Sequence, residues 1–437
     1  MKTKNNPVIA AVFLAGISFF HAQEKKMLTL DEAVQLGIQN SKSLKIDAAK
    51  IEEATADLLE AKNRKLPDFK ASVSYMYLPL EPNVNIKLPD VSASGGPRVN
   101  QVLFGSANLS LPLYSGGRIK YGIESAKYLV EASKLNTEND KVAIAYNVAQ
   151  AYNNLFKANQ SIKVLEENLS ASSKRDETFL KLENNGVIAR NDRLKANLQT
   201  SNIELQLLEA KNNYNIANIN MDLLLGLPEN TEIEVDEAYI NEMQETKPVD
   251  FYLNTAQENR KDLQALQQQR KAASVGTKAA KAESLPTIAL TGGYVAADVP
   301  NFFTMYNAVN VGLGIQYNIS NLWKKNSALK QSQAREKQLS ATDEMLNDNI
   351  KLEVNREYQN ADYFKQRIAV FEKSSVQADE NYRITKNKYD NGLATMTELL
   401  DADAAKIAAT VGVINAKADA ALAYRKLVQT TGTLTNN

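Results

Sequence analysis

Residues 185–192, Asn-Gly-Val-Ile-Ala-Arg-Asn-Asp, come back as residues 391–398, Asn-Gly-Leu-Ala-Thr-Met-Thr-Glu. The same offset of 206 carries Tyr152 onto Tyr358, Gln160 onto Gln366, Ile162 onto Ile368 and Gly226 onto Gly432. No insertion is needed between about residues 112 and 226. Upstream, Leu66-Pro67 matches Leu285-Pro286 at an offset of 219, so the first copy holds about 13 extra residues in the Pro-, Gly- and Ser-rich stretch 80–97. A period near 200 residues is too long for a solenoid. The chain is a tandem duplication, and each half must fold into the same kind of unit.

Each half shows one order of elements. Thr29 followed by Glu32 reads as a capping box, opening a helix over 28–65 that Pro67 stops. Phe69, Ala71, Val73, Tyr75 and Tyr77 alternate with Lys70, Ser72, Ser74 and Met76, the period of a strand with one apolar face. Leu109, Leu111 and Leu113 continue it, giving a β-hairpin over 67–115. After Gly116-Gly117 a helix of some 66 residues, about 100 Å long, runs without proline to a tip at 184–189. A second helix returns to 226, with Leu194, Leu198, Leu205 and Leu208 at near-heptad spacing. These elements make a first repeat over 23–228. An acidic linker follows over 229–248. The second repeat, 249–437, has a helix at 249–283, a β-hairpin at 286–320 and a helical hairpin at 322–431 with its tip at 390–395. Gly and Pro total 29 of 437 residues, about 7 % against the roughly 12 % of average usage, which fits long helices better than many turns.

The N-terminus reads as an export signal over 1–22. Lys2 and Lys4 precede an apolar run of about 13 residues, Val8–Phe20, with Ala22 before the expected cleavage. That run is too short to span a bilayer, and no later segment holds 18 uncharged apolar residues. Removing the signal takes away His21, the one histidine of the chain, and leaves a net charge of −2. The mature chain then has no His and no Cys. Ser-His-Asp and Cys-His catalysis, His- or Cys-held zinc, disulfides and a lipid-modified Cys anchor are all excluded. No cofactor and no enzymatic role is expected, and the balanced charge gives no reason to expect nucleic acid.

The strands decide what remains. Val309, Val311, Leu313, Ile315, Tyr317 and Ile319 alternate with Asn310, Gly312, Gly314, Gln316 and Asn318. A soluble sandwich strand has this pattern, and so does a membrane barrel strand with odd positions toward lipid. Four strands cannot close a barrel that needs at least eight. Unpaired edges in hydrocarbon cost several kcal/mol per group. Several copies must therefore pool their strands, and their rods would pool into a helical cylinder.

At this point the chain resembles the TolC-type outer-membrane efflux proteins. The resemblance rests on the duplicated order, the Leu66-Pro67 and Leu285-Pro286 strand starts, Leu111-Pro-Leu-Tyr114, the Asn259-Arg-Lys-Asp-Leu263 segment and the two tips. It implies a mainly α fold with a β-barrel contribution: a homotrimer with a twelve-stranded outer-membrane barrel on a periplasmic helical barrel. It implies an efflux or export channel fed by an inner-membrane transporter through a periplasmic adaptor, in contact with outer-membrane lipids. An exported structural coiled-coil protein is the alternative function. An exported carboxylate hydrolase would need two acids facing across a cleft.

The resemblance also assigns roles at the tips. Adaptor docking falls on Asn185, Gly186 and Val187, and on Asn391, Gly392 and Leu393. Gate residues fall on Glu398 and Asp401, with Tyr389 and Asp192 nearby. Three residues apart, Glu398 and Asp401 share a helix face, and three copies would form an acidic, cation-favouring ring. The residues alone also allow simpler roles: Glu398 and Asp401 as first-turn acids, Asp192 as an N-cap, Tyr389 as interhelical packing. The family's gate arginine is missing at Ala394, with Arg190 as a candidate substitute. Gly186 and Gly392 are expected to end helices in any case.

Overall fold

The computed structural model describes residues 25–80, 82, 99–241, 245–300, 302–322 and 326–435. The expected signal at 1–22 with His21, most of the 80–97 insertion and residues 242–244 of the expected linker lie outside the described residues. The chain is mainly helical with a minority of sheet. Its elements are β1 (Lys25–Leu28), α1 (Leu30–Asn40), α2 (Lys42–Asn63), β2 (Asp68–Tyr77), β3 (Gln101–Tyr114), α3 (Arg118–Asn184), α4 (Arg190–Leu225) and β4 (Glu232–Val235), then α5 (Val249–Asn259), α6 (Lys261–Ala282), β5 (Thr287–Val299), β6 (Phe303–Gln316), α7 (Ser327–Asp390) and α8 (Met396–Thr430). The order helix, strand, strand, long helix, long helix occurs twice. No described helix is long and apolar enough to cross a membrane.

Each opening helix is broken where a continuous one was expected. Ser41 separates α1 from α2, and its hydroxyl accepts the Leu44 N–H at 3.3 Å. Arg260 separates α5 from α6 in an extended conformation, ψ 120°. Neither break contains proline or glycine, so the sequence pattern did not mark it.

One compact unit comprises residues 1–40, 147–243 and 364–422. The Thr29–Glu32 capping box forms: Thr29 N donates to Glu32 Oε2 at 2.9 Å and Glu32 N to Thr29 Oγ1 at 3.3 Å. The stretch expected as a linker holds β4 and a 3₁₀ turn at Glu237–Asn241. β4 pairs in parallel with β1. Fully buried Tyr152 fastens this pair, donating its hydroxyl to Leu28 O at 2.9 Å and accepting Asp236 N at 2.7 Å. On α4 the buried positions up to residue 210 are Ala196, Ile203, Leu207 and Ala210, at steps of seven, four and three. Ile203, Leu207 and Ala210 pack with Leu165 and Ile407. Thr200, in the same row, shares a hydrogen bond with Ser172 at 2.7 Å. The expected leucine seam is elsewhere: Leu194, Leu198, Leu205 and Leu208 are 51 to 63 % exposed. On α8, buried Ala402, Ala409 and Ala416 recur every seven residues, so neighbouring backbones can approach closely.

The other unit comprises residues 41–146, 244–363 and 423–437. Its helical core gathers Tyr252, Ala256, Leu263, Ile350, Val354, Ala361 and Leu427. Half-hidden Arg260 ties it together, donating to Asp262 and Glu353 at 2.7 Å and to Thr430 O at 3.3 Å. This is the structural use of the Asn259–Leu263 segment.

The sheet of this unit is antiparallel in the order β2-β3-β5-β6. One face carries Phe69, Val73, Tyr75, Leu103, Leu109, Leu290, Val309, Val311, Leu313 and Ile315. The other carries Lys70, Ser72, Ser106, Asn108, Thr291, Gly293, Asn310 and Gly312. The apolar face lies open: Val309, Val311, Leu313 and Ile315 are 69 to 78 % exposed. Pairing slips once near each end, at Pro112/Tyr114 and at Val295/Ala297. Bulges of this kind bend a sheet and recur at barrel rims.

Candidate functional site

The two tips have the same backbone. At the first, Gly186 takes φ 71°, donating to Glu183 O at 2.9 Å while Val187 N reaches Leu182 O at 2.8 Å. At the second, Gly392 takes φ 74°, with its N–H on Tyr389 O at 2.9 Å and Leu393 N on Lys388 O at 2.8 Å. Both are Schellman endings, which satisfy helix-end carbonyls through a left-handed residue. A Cβ at either glycine would meet nothing within 4 Å, so the conformation alone demands glycine. Asn185 and Asn391 flank the turns. Val187 and Leu393, just past the glycines, are 67 and 78 % exposed. Each tip thus holds an apolar side chain out in solvent on a rigid turn.

The helices that leave the tips start differently. Thr395 opens α8 with a second capping box: its N–H donates to Glu398 Oε2 at 2.7 Å, its hydroxyl to the same oxygen at 2.9 Å, and Glu398 N returns to Thr395 Oγ1 at 3.2 Å. Those bonds from the Thr395 backbone and hydroxyl hold the Glu398 carboxyl below its ordinary range. Asp401 is exposed one turn on. At the first tip Ala189 stands where Thr395 stands, without a side-chain cap. Asp192 is therefore in the first turn of α4 and is not its N-cap; its carboxylate lies 3.6 Å from Lys195. Arg190 is exposed at the first position of that helix.

Between the tips lies a small core. Phe179, Ala196 and Met396 are buried, with Leu182, Ile188, Tyr389 and Leu400 against them. The Tyr389 and Phe179 rings meet edge-on at 6.1 Å. Burial pushes the Tyr389 hydroxyl up, and the charges of Asp192 and Asp390 push it further. Asp192 is thus near enough for its charge to act on Tyr389 within one chain. Deeper in, Arg175 and Asp403 form a largely buried ion pair at 3.0 Å. Sequence reasoning missed this pair, since nothing local marks residues that meet across two helices. The Thr395–Glu398 cap was missed although its Thr-x-x-Glu pattern is the one read at Thr29–Glu32.

The chain is similar to known proteins along most of its length. The family model described as outer membrane efflux protein matches residues 33–227 and 252–433. No curated protein sequence matches the chain. Solved structures similar to it include VceC from Vibrio cholerae, at 18 % identity and TM-score 0.75 over 92 % of this chain and 96 % of that one. The CmeC outer membrane channel of Campylobacter jejuni is similar at 18 % identity and TM-score 0.74, over 92 and 85 %. The open state of the MtrE outer membrane channel of Neisseria gonorrhoeae is similar at 19 % and 0.72, over 92 and 88 %.

Proposed function

The chain belongs to the outer membrane efflux protein family, and from that membership we propose that three copies build one channel through the outer membrane and into the periplasm. The observation that carries the assembly is the open apolar face bounded by two free edges, β2 and β6. An even number of antiparallel strands leaves those edges running in opposite senses. Each β6 can then pair antiparallel with the β2 of the next copy, head to tail around a closed ring. Two copies supply eight strands and three supply twelve, and the family favours three. Tyr75, Tyr77 and Tyr306 stand near one end of the apolar band, and Phe69 and Tyr114 near the other. Such aromatic girdles mark the two lipid interfaces, spanned by about 9–11 tilted residues.

Within this channel the repeats 23–228 and 249–437 supply matching wall segments. The turns Asn185-Gly186-Val187 and Asn391-Gly392-Leu393 dock a periplasmic adaptor, which hands on substrates from an inner-membrane transporter. The exposed Val187 and Leu393 support this role. Glu398 and Asp401 form the acidic ring at the inner mouth, with Tyr389 and Asp192 packed beside it. Outer-membrane lipid covers the apolar sheet face. The test is the mass of the protein in mild detergent, taken with its fractionation. A trimer that leaves outer membranes only with detergent is expected; a monomer released without detergent would leave the exported coiled-coil reading.

A further inference from the structure

The register of the sheet reverses its faces at one end. Residues directly opposite on neighbouring strands share a face. Along most of β6 the polar side carries Asn310, Gly312 and Gly314, opposite Gly293, Thr291 and Ala289. At the slip, Val295 pairs with Ala308 but Ala297 pairs with Met305. Two steps along β5 thus match three along β6, and Tyr306 and Asn307 lie opposite Ala296 alone. Asn307 takes φ 60° to make the bulge. Beyond it the odd residues of β6 change sides. Met305 stands opposite Ala297 and Phe303 opposite Val299, on the side that was polar. Phe104 joins them, opposite Ala297 on one flank and Ser74 on the other. Met76 follows on the same side, opposite Val102. Ala297 and Val299 are each only 6 % exposed, and the larger side chains beside them, Phe104, Met305, Phe303 and Met76, are 37 to 48 % exposed. The other face changes in the opposite sense: Asp298 and Thr304 are partners there, hydrogen-bonded at 2.9 Å.

We propose that Met76, Phe104, Ala297, Val299, Phe303 and Met305 form an apolar collar inside the exit of the channel. It passes organic substrates that carry an apolar part, and it holds back hydrated ions and small polar solutes. The inference rests on the barrel reading above. The helices attach at the far end of these strands, so with the helices in the periplasm the collar faces the outside. Repeated around the ring, with Ser74 the polar member of the Phe104 row, its apolar side chains slow the passage of water and ions, as hydrophobic constrictions do. A molecule with apolar surface gains contact there in proportion to the area it buries.

The chain has no cysteine, so single-cysteine reporters in the intact trimer are unambiguous. Fluorophores on Leu313→Cys and Met305→Cys are compared in vesicles of ordinary and brominated lipid. Quenching by brominated lipid is expected at Leu313 and not at Met305; equal quenching at both overturns the inversion. No quenching at Leu313 would remove the barrel itself, and the collar with it. The barrier is read in whole cells on Ser72→Cys, one row deeper on the polar face. A charged, membrane-impermeant thiol reagent added outside should modify it slowly. Combining Phe104→Ser and Met305→Ser should speed that reaction several-fold while gels still show trimer. Equally fast modification behind the native collar overturns the proposal.

Discussion

Asp192 and Glu398 occupy the same position of the two repeats, yet one pairs with a lysine and the other closes a helix cap. Capping does not exhaust Glu398, because its carboxylate is exposed, as Asp401 is. If three copies set these acids around an axis, Glu398→Ala with Asp401→Ala should lower cation selectivity, since a narrow low-dielectric constriction focuses their field. The reversal potential in a salt gradient across a planar bilayer reads this. A shift toward zero is expected. Unchanged selectivity, with only a small loss of helix stability, would leave the carboxylates a structural role. The four residues Thr395–Glu398 suit both a cap and a ring. A single sequence cannot rank the two, because the ring depends on neighbouring copies.

Asp222 gives a separate prediction at this scale. It is fully buried, accepts Asn218 Nδ2 at 3.1 Å, and sits in the last turn of α4, where the helix dipole disfavours an anion. Burial, and secondarily Glu229, push its carboxyl up to about 6. A folded-state value above the unfolded value of about 3.9 means that the protonated form is the one the fold favours. Its contribution is fully present below about pH 4 and is lost as pH rises through about 6, a change of roughly 2–3 kcal/mol. Asp222→Asn should therefore melt progressively higher than the native protein as pH rises from 4 to 7. Parallel melting curves across that range would contradict the assignment.

At the scale of elements, the helices were legible as helices and the strands as strands, because each period runs long. Which stripe of α4 faces inward was not legible. Leucines at 194, 198, 205 and 208 looked like the seam, while the buried row uses Ala196, Ile203, Leu207 and Ala210. Two apolar stripes fit one helix when one meets its own chain and the other meets a second copy, and hydrophobicity does not separate them. Ile203→Ala should thus cost about 2–5 kcal/mol of subunit stability. Leu205→Glu should leave helical content unchanged but prevent assembly, seen as monomer on size exclusion in detergent. A stable Leu205→Glu trimer would show that this stripe does not face a neighbouring copy. The breaks at Ser41 and Arg260 and the strand β4 were illegible for another reason. Arg260 is held by distant groups, Glu353 and Thr430, and β4 by its pairing with β1, while the Ser41 cap is local but carries no proline or glycine with it.

For the whole molecule, the duplication was the most readable property, and it predicts equivalent tips. The structure gives Gly186 and Gly392 the same turn and leaves Val187 and Leu393 exposed. Val187→Glu with Leu393→Glu should preserve the trimer while abolishing resistance to an exported toxic compound, since charge on a docking surface costs binding. Full resistance in the double variant would place the adaptor elsewhere. The free edges β2 and β6 have a consequence for inheritance. Every subunit gives one edge and receives at the other, so a subunit with one blocked edge ends a row and no ring forms around it. A cell making native and edge-blocked subunits in equal amounts would complete only about one ring in eight from native copies alone. Lesions at either edge should accordingly be dominant, whereas a lesion that merely unfolds the subunit should be recessive.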